Sequence, residues 1–458
     1  MNRVLLLIVT GGCADSRPDK DRLEPTFMEV SGAIEGLDAP TSEGADTGTD
    51  SETDPTASSL PFSNTTREIT VNGQALNREA EPYAYNGTVE VTIRPGVIKA
   101  VEGATKVTDT WGMDHWYIQA TEGVVSTRVS FASAFGNTRV WLTATADPTT
   151  PDEPSSQATG VTERFAIALP TIPELQDVSA LEVEDPFTTS PLFGEFVTVR
   201  TEDRQVVVTS LTTKGFWASD LGPIDETPAT VGGDYRGLFV YTFNKPEGVS
   251  VGDRLGLLGG GVQEYVGATQ LSFPLYEPME GETLPVPDAA VLPLEGEGDT
   301  VCDGTQPNNM FMEPFESSLV TISAGTIPAN FKEMPPGTDA DPDFADFEQY
   351  FQWPLELPGG CRVMVVSNTT VPGFDPIAHA GETLSSVTGL LSYVRAGGHR
   401  WILLTRDADD LPFFEDGDTA GDAERPAGAS WPLPLRGHAP AHQCEHDHVG
   451  DHLRPTKD

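Results

Sequence analysis

The sequence predicts an all-β chain, with a small N-terminal sandwich followed by two related small barrels and polar segments at both ends. Three observations lead there. Short runs rich in Val, Thr, Tyr and Phe alternate apolar and polar residues at period two, as in GTVEVTIR and TRVWLTATA. Gly, Pro, Asn and Asp separate these runs. With 45 Gly and 38 Pro in 458 residues the chain has too many breakers for a helical protein, and at 38% hydrophobic it is too apolar for wholesale disorder. The third observation is an internal repeat in the C-terminal half, where Gly252, Leu255 and Gly260 match Gly381, Leu384 and Gly389.

Residues 1–13, MNRVLLLIVTGGC, join a charged start, a short apolar run and small residues to a cysteine. This layout resembles a bacterial lipoprotein signal, which implies acylation of Cys13 after cleavage and attachment to the outer membrane. The run is too short to span a bilayer, which needs about 20 apolar residues. Residues 14–59 follow as an acidic tether. GADTGTDSETDPTASS has almost no apolar content, so it cannot bury enough surface to offset its ordering entropy.

Residues 60–147 carry five alternating runs, EITVNGQAL, GTVEVTIR, HWYIQAT, STRVSFASAF and TRVWLTATA, separated by turn signals such as Asn72-Gly73 and Asn86-Gly87. Strands at this spacing predict an Ig-like β-sandwich, with Trp111, Trp116 and Trp141 as core or edge aromatics. Residues 148–166 read as a second linker. Residues 167–281 and 311–411 are the expected barrels, joined by a connector over 282–310. Phe196-Val197-Thr198-Val199 in the first matches Leu319-Val320-Thr321-Ile322 in the second. A strand, a glycine-marked bend and a second strand is how a small barrel turns a corner. Residues 412–458 form a polar tail holding most of the histidines.

The segment from Gly194 to Phe273 resembles the OB-fold modules found beside extracellular bacterial nucleases and in surface lipoproteins. GEFVTV, KGFWASD, RGLFVYT and VGDRLGLLGGGVQEYVGATQL carry the match. The second copy keeps the family's beginning and end in MEPFESSLVTI, AGETLSSVTGLLSY and LLTRDADDL, around an acidic insertion from Pro328 to Phe347. The resemblance implies two OB-like barrels. Nuclease members carry a separate phosphoesterase domain with G-D-x-N and S-D-H motifs, which are missing here. The modules alone are therefore expected to be non-catalytic.

Other routes to catalysis find no support. G-x-S-x-G and G-x-x-x-x-G-K are absent, and His115, His379 and His399 have no evident nucleophile beside them. Four cysteines remain to be assigned. With Cys13 lipidated, Cys302 and Cys361 fall within one module and are expected to pair, leaving Cys444 in the tail. No cofactor is expected. His438, His442, Cys444, His446, His448 and His452 could hold a divalent metal weakly, although no structural-zinc spacing is present. Acidic stretches at Asp299–Asp303, Asp339–Asp346 and Glu415–Asp422 lack the spacing of a calcium loop and read as solvated charge.

Charge decides between partners. Net charge is −43, from 27 basic and 70 acidic residues. Over 170–282 six basic residues face eighteen acidic ones, and over 283–412 five face nineteen. Phe216, Trp217, Phe239 and Tyr241 could stack on bases, yet only Lys214 and Arg236 accompany them, and affinity for phosphate comes largely from Lys and Arg. The expected protein is thus a non-catalytic envelope lipoprotein that binds or scaffolds an envelope protein or polymer. A nucleic-acid-binding accessory module is the alternative.

Overall fold

The computed structural model describes residues 27–34 and 60–412, apart from residues 78, 111–112, 146–157, 178–188, 266, 295–299, 333–340, 369 and 395–399. Cys13, Trp111, His399, Glu415–Asp422 and the whole histidine-rich tail lie outside the described residues. The described chain is predominantly β, with open sheets in the N-terminal part and closed rings of strands after it.

The N-terminal part contains β1 (Phe27–Ile34), β2 (Arg67–Leu76), β3 (Thr88–Arg94), β4 (Val97–Val101), β5 (Thr105–Thr108), β6 (Asp114–Gln119), β7 (Val124–Ala132), β8 (Gly136–Thr145), β9 (Ala158–Val161) and β10 (Phe165–Ile167). One sheet has the order β1-β2-β7-β4. The other runs β10-β8-β3-β6-β5, with β9 also paired to β8. Alternate residues of both sheets meet in one core: Ile69 and Val71 of β2 and Val129 and Phe131 of β7, with Val89 and Val91 of β3 and Val140 and Leu142 of β8. That is the outcome period-two patterning predicts for two half-buried sheets.

Two boundaries differ from the sequence reading. β1 lies inside the expected tether 14–59 and pairs with β2 along its full length, from Phe27↔Leu76 to Ile34↔Ile69. β9 and β10 lie largely inside the expected linker 148–166 and extend the second sheet. Each is too short, or too enclosed by acidic and Gly-rich sequence, to show a period of its own.

A capped turn of helix, α1 (Ile172–Gln176), links this part to the first ring. Thr171 and Glu174 form a reciprocal capping box. Its Ile172 and Leu175 pack with Phe62, which precedes β2, with Phe135 from the β7–β8 turn, and with Val206 and Leu238 from the ring, in one shared core.

The first ring contains β11 (Phe196–Thr198), β12 (Arg204–Leu211), β13 (Gly215–Pro223), β14 (Gly237–Tyr241), β15 (Asp253–Tyr265) and β16 (Ala268–Thr283). Strands β12-β13-β14-β16-β15 close on themselves, with β11 added to β15. Every pairing is antiparallel except β14 with β16. The connector supplies β17 (Ala290–Leu292), the small hairpin β18 (Cys302–Asp303) and β19 (Gln306–Pro307), and α2 (Asn309–Met312). The second ring contains β20 (Leu319–Thr326), α3 (Phe344–Tyr350), β21 (Gln352–Glu356), β22 (Arg362–Val366), β23 (Thr383–Val394) and β24 (Arg400–Leu404). Here β20-β21-β22-β24-β23 close, and the one parallel pair inside the ring is β22 with β24.

Numbering the strands of each ring one to five, both have the order 1-2-3-5-4 with strands 3 and 5 parallel. The sequence repeat falls on equivalent places. Gly252 and Gly381 precede the fourth strands in the left-handed region, at φ +91° and +89°, where a side chain would be strained. Val197 pairs with Gly260, and Val320 pairs with Gly389. The first strand of ring one is split into β11 and β12, whereas its counterpart β20 is continuous. The Cys302–Cys361 disulfide is present as expected, tying the connector to the start of β22.

Candidate binding site

The outer face of the first ring is built from alternation. Phe216, Ala218, Leu238, Val240 and Leu271 point into the ring core. Trp217 and Phe239, partners across β13 and β14, therefore point out, and their rings lie 4.8 Å apart. They are nonetheless only 3% and 8% exposed, because the second ring covers them. Met364 and Val366 of β22, Leu390 and Val394 of β23, and Ile402 and Leu404 of β24 complete this apolar contact between the rings.

The aromatic row continues beyond the covered zone. Tyr241, at the rim of the inter-ring contact, lies 4.5 Å from Phe243, which in turn lies 4.9 Å from Phe273. Phe243 is 38% exposed and Phe273 68%. Both hold a left-handed backbone, at φ 65° and 51°. For a bulky residue this costs about 1–3 kcal/mol, and such strain clusters at ligand sites. The loop carrying Phe243 is pinned: Lys214 Nζ donates to the Phe243 carbonyl at 2.9 Å, and Thr242 N donates to the Lys214 carbonyl at 2.8 Å. Neighbouring Leu275 is also exposed. Successive rings are tilted by 52° and 48°, so they form a stepped surface rather than one flat platform.

The residues singled out for base stacking thus part company. Phe216 is core, Trp217 and Phe239 are interface, and only Tyr241 reaches the exposed cluster. Phe243 and Phe273 were not singled out, because nothing in the motifs FNKP and SFP marks a strained aromatic. Arg236 is turned away to the Asp220 carbonyl, at 3.2 Å.

The remaining candidates are accounted for within the fold. His115 lies between Glu90 (2.8 Å) and Asp109 (3.3 Å), and hydrogen bonding to Glu90 raises its pKa. His379 meets Glu382 at 2.9 Å and stacks on Phe374. Within the acidic stretch Asp339–Asp346, the described Asp341, Asp343 and Asp346 are not the solvated charge that the sequence suggested. Asp341 and Asp343 are buried, Arg362 lies 2.8 Å from Asp341 and 3.1 Å from Asp343, and Arg400 reaches Asp343 and Asp346 at 2.9 and 2.8 Å. These carboxylates are occupied by guanidinium groups. Among the described residues, no group of three or more His, Cys, Asp or Glu side chains is placed to hold a metal ion. No described helix is long and apolar enough to cross a membrane.

No family model matches the chain, and no curated protein matches it. Among solved structures, a DUF4466 family protein from Parabacteroides merdae ATCC 43184 is similar at 7% identity and a TM-score of 0.17. The match covers 40% of this chain and about half (52%) of that one.

Proposed function

We propose that the protein is a non-catalytic binding and scaffolding module of the bacterial cell envelope, anchored to the outer membrane through Cys13. In this reading its N-terminal sheets form an Ig-like sandwich and its two rings are OB folds. Support for the OB reading comes from two closed five-stranded rings with one shared strand order, in a family whose members are small Greek-key barrels. The observation that carries the binding role is the Tyr241–Phe243–Phe273 cluster, in which Phe243 and Phe273 are exposed and held in strained backbone. Contiguous exposed apolar surface rimmed by polar groups marks an interaction site.

The ligand class that best suits the cluster is an uncharged envelope glycan. Sugar rings present apolar C–H faces that pack on aromatic rings, and stepped aromatics suit a chain that changes direction between residues. Such a ligand needs no basic groove. The test is affinity electrophoresis in gels containing a soluble neutral glucan. We expect retardation of the wild-type protein and none for Phe243→Ala/Phe273→Ala, whose fold should persist because both side chains are exposed. Equal mobility of the two proteins across a series of neutral glycans would remove the glycan assignment.

The alternative, a nucleic-acid accessory module, is disfavoured by charge. Groups beyond about 8–10 Å are screened at physiological salt, but the near field of the ring remains acidic. We expect no binding of fluorescent single-stranded DNA at micromolar protein and physiological salt. Low-micromolar affinity that weakens steeply with salt would put this alternative first.

A further inference from the structure

The two rings touch through more than apolar side chains. The turn over 313–318, just before β20, inserts against the 232–237 loop of the first ring. Tyr235 N donates to the Pro314 carbonyl at 2.7 Å, and Gly233 N donates to Ser318 Oγ at 3.2 Å. Three carboxyl groups meet beside this joint. Glu264 lies one residue before the end of β15 of the first ring, while Glu313 and Glu316 belong to the inserted turn. Thr269 of β16 links them: its hydroxyl donates to Glu264 Oε1 at 2.7 Å, and its backbone N–H donates to Glu316 Oε2 at 3.2 Å. Ser190 N also donates to Glu264 Oε1, and the Tyr393 backbone of β23 bonds Glu316.

Glu316 is 3% exposed, and its Oε1 has no hydrogen-bond partner among the described residues. Neither Glu313 nor Glu316 forms an ion pair with a Lys, Arg or His among the described residues. Tyr235 of the first ring lies beside Glu313, and Asp177, which follows α1, lies near that tyrosine, so these neighbours are acidic as well. Arg236, next to Tyr235 in sequence, sits 3.9 Å from Asp234 and donates to the Asp220 carbonyl. A buried, unpaired carboxylate among other carboxylates is strongly disfavoured, whereas its protonated form is not.

We propose that the Glu264–Glu313–Glu316 junction is a proton-dependent latch between the rings, closed while Glu313 and Glu316 hold protons and loosened when they ionise. Burial and the adjacent Glu264 push Glu313 up to about 8. Burial, then the adjacent Glu313 and Glu264, push Glu316 well above the usual carboxylate range. Burial, with Asp177 and Glu313 nearby, pushes Tyr235 up to about 12, so the tyrosine supplies no negative charge of its own. The sign follows from proton linkage. When the rings part, the exposed carboxyls regain ordinary values, so the parted state binds fewer protons from about pH 4.5 upward. Closure is complete below that pH and weakens as pH rises to about 8. Loosening uncovers Trp217 and Phe239, which lengthens the exposed aromatic row inward.

Acrylamide quenching assigned to Trp217 reads the latch. The signal is the full-length protein minus its Trp217→Phe variant, recorded from about pH 5 to pH 9. We expect quenching to rise reversibly about twofold or more across this range. Glu313→Gln, and Glu313→Gln/Glu316→Gln where it folds, should abolish the rise. Flat quenching in the wild type, or an unchanged rise in Glu313→Gln, overturns the proposal. The measurement reads the joint alone and stands whether or not the exposed cluster binds a glycan.

Discussion

Replacing Cys361 by Ser, or reducing the bond it forms with Cys302, is expected to lower stability by about 4 kcal/mol. The bond joins residues 59 apart, and closing a loop of that length removes about this much chain entropy from the unfolded state. The location adds to the effect. Cys361 is fully buried in the second ring's core beside Val301, Met312 and Val363. Without the bond, the β18–β19 hairpin is held to β22 by packing alone. Urea unfolding of the second ring, followed through buried Trp353 and Trp401, checks this with and without reductant. A change below about 1 kcal/mol would mean that the packing around Cys361 is sufficient.

Gly237→Ala is expected to part the rings while leaving each folded. A Cβ at this position would come within 2.5 Å of the Ser317 carbonyl carbon and oxygen. Backbone cannot yield as a flexible side chain can, and forcing atoms into packed space costs about 1–3 kcal/mol. The same glycine's carbonyl accepts from the Gln176 side chain, so the strand is held from both sides. The readout is a red-shifted Trp217 emission, with separate thermal transitions for the two rings. Gly261→Ala is the control: its Cβ would sit 3.7 Å from the Ser272 carbonyl, an ordinary contact. Cooperative single-transition melting of Gly237→Ala would place the inter-ring strength in the apolar contact alone.

What could be read in advance follows the range of each interaction. The rings were legible because the glycine before each fourth strand and the leucine three residues on are demanded by local geometry, which leaves a mark within one segment. The disulfide was legible because Cys302 and Cys361 lie in or beside the second ring, while Cys13 and Cys444 lie far from it in sequence. Strand β1 was not, since eight residues in an acidic, Gly-rich setting gain their order from β2, more than thirty residues away. The carboxylates of Asp341 and Asp343 read as solvated because Arg362 and Arg400, which neutralise them, arrive from β22 and β24. At the binding site, KGFWASD showed that aromatics were concentrated there. It could not show that Trp217 faces a second ring while Phe243, from a different loop, faces solvent. Nor could it bring together Glu264 and Glu316, which meet only when the rings pack.

The cover over Trp217 and Phe239 is itself part of the chain, joined by the connector that carries β17, β18 and β19. A tethered partner of this kind acts at an effective concentration in the millimolar range, whatever the dilution of the protein. An external ligand reaching for the inner half of the aromatic row must therefore displace an occupant that never diffuses away. The outer half, Phe243 and Phe273, faces no such rival. The same surface would thus recognise small ligands at its rim and admit only ligands long or strong enough to win the competition farther in.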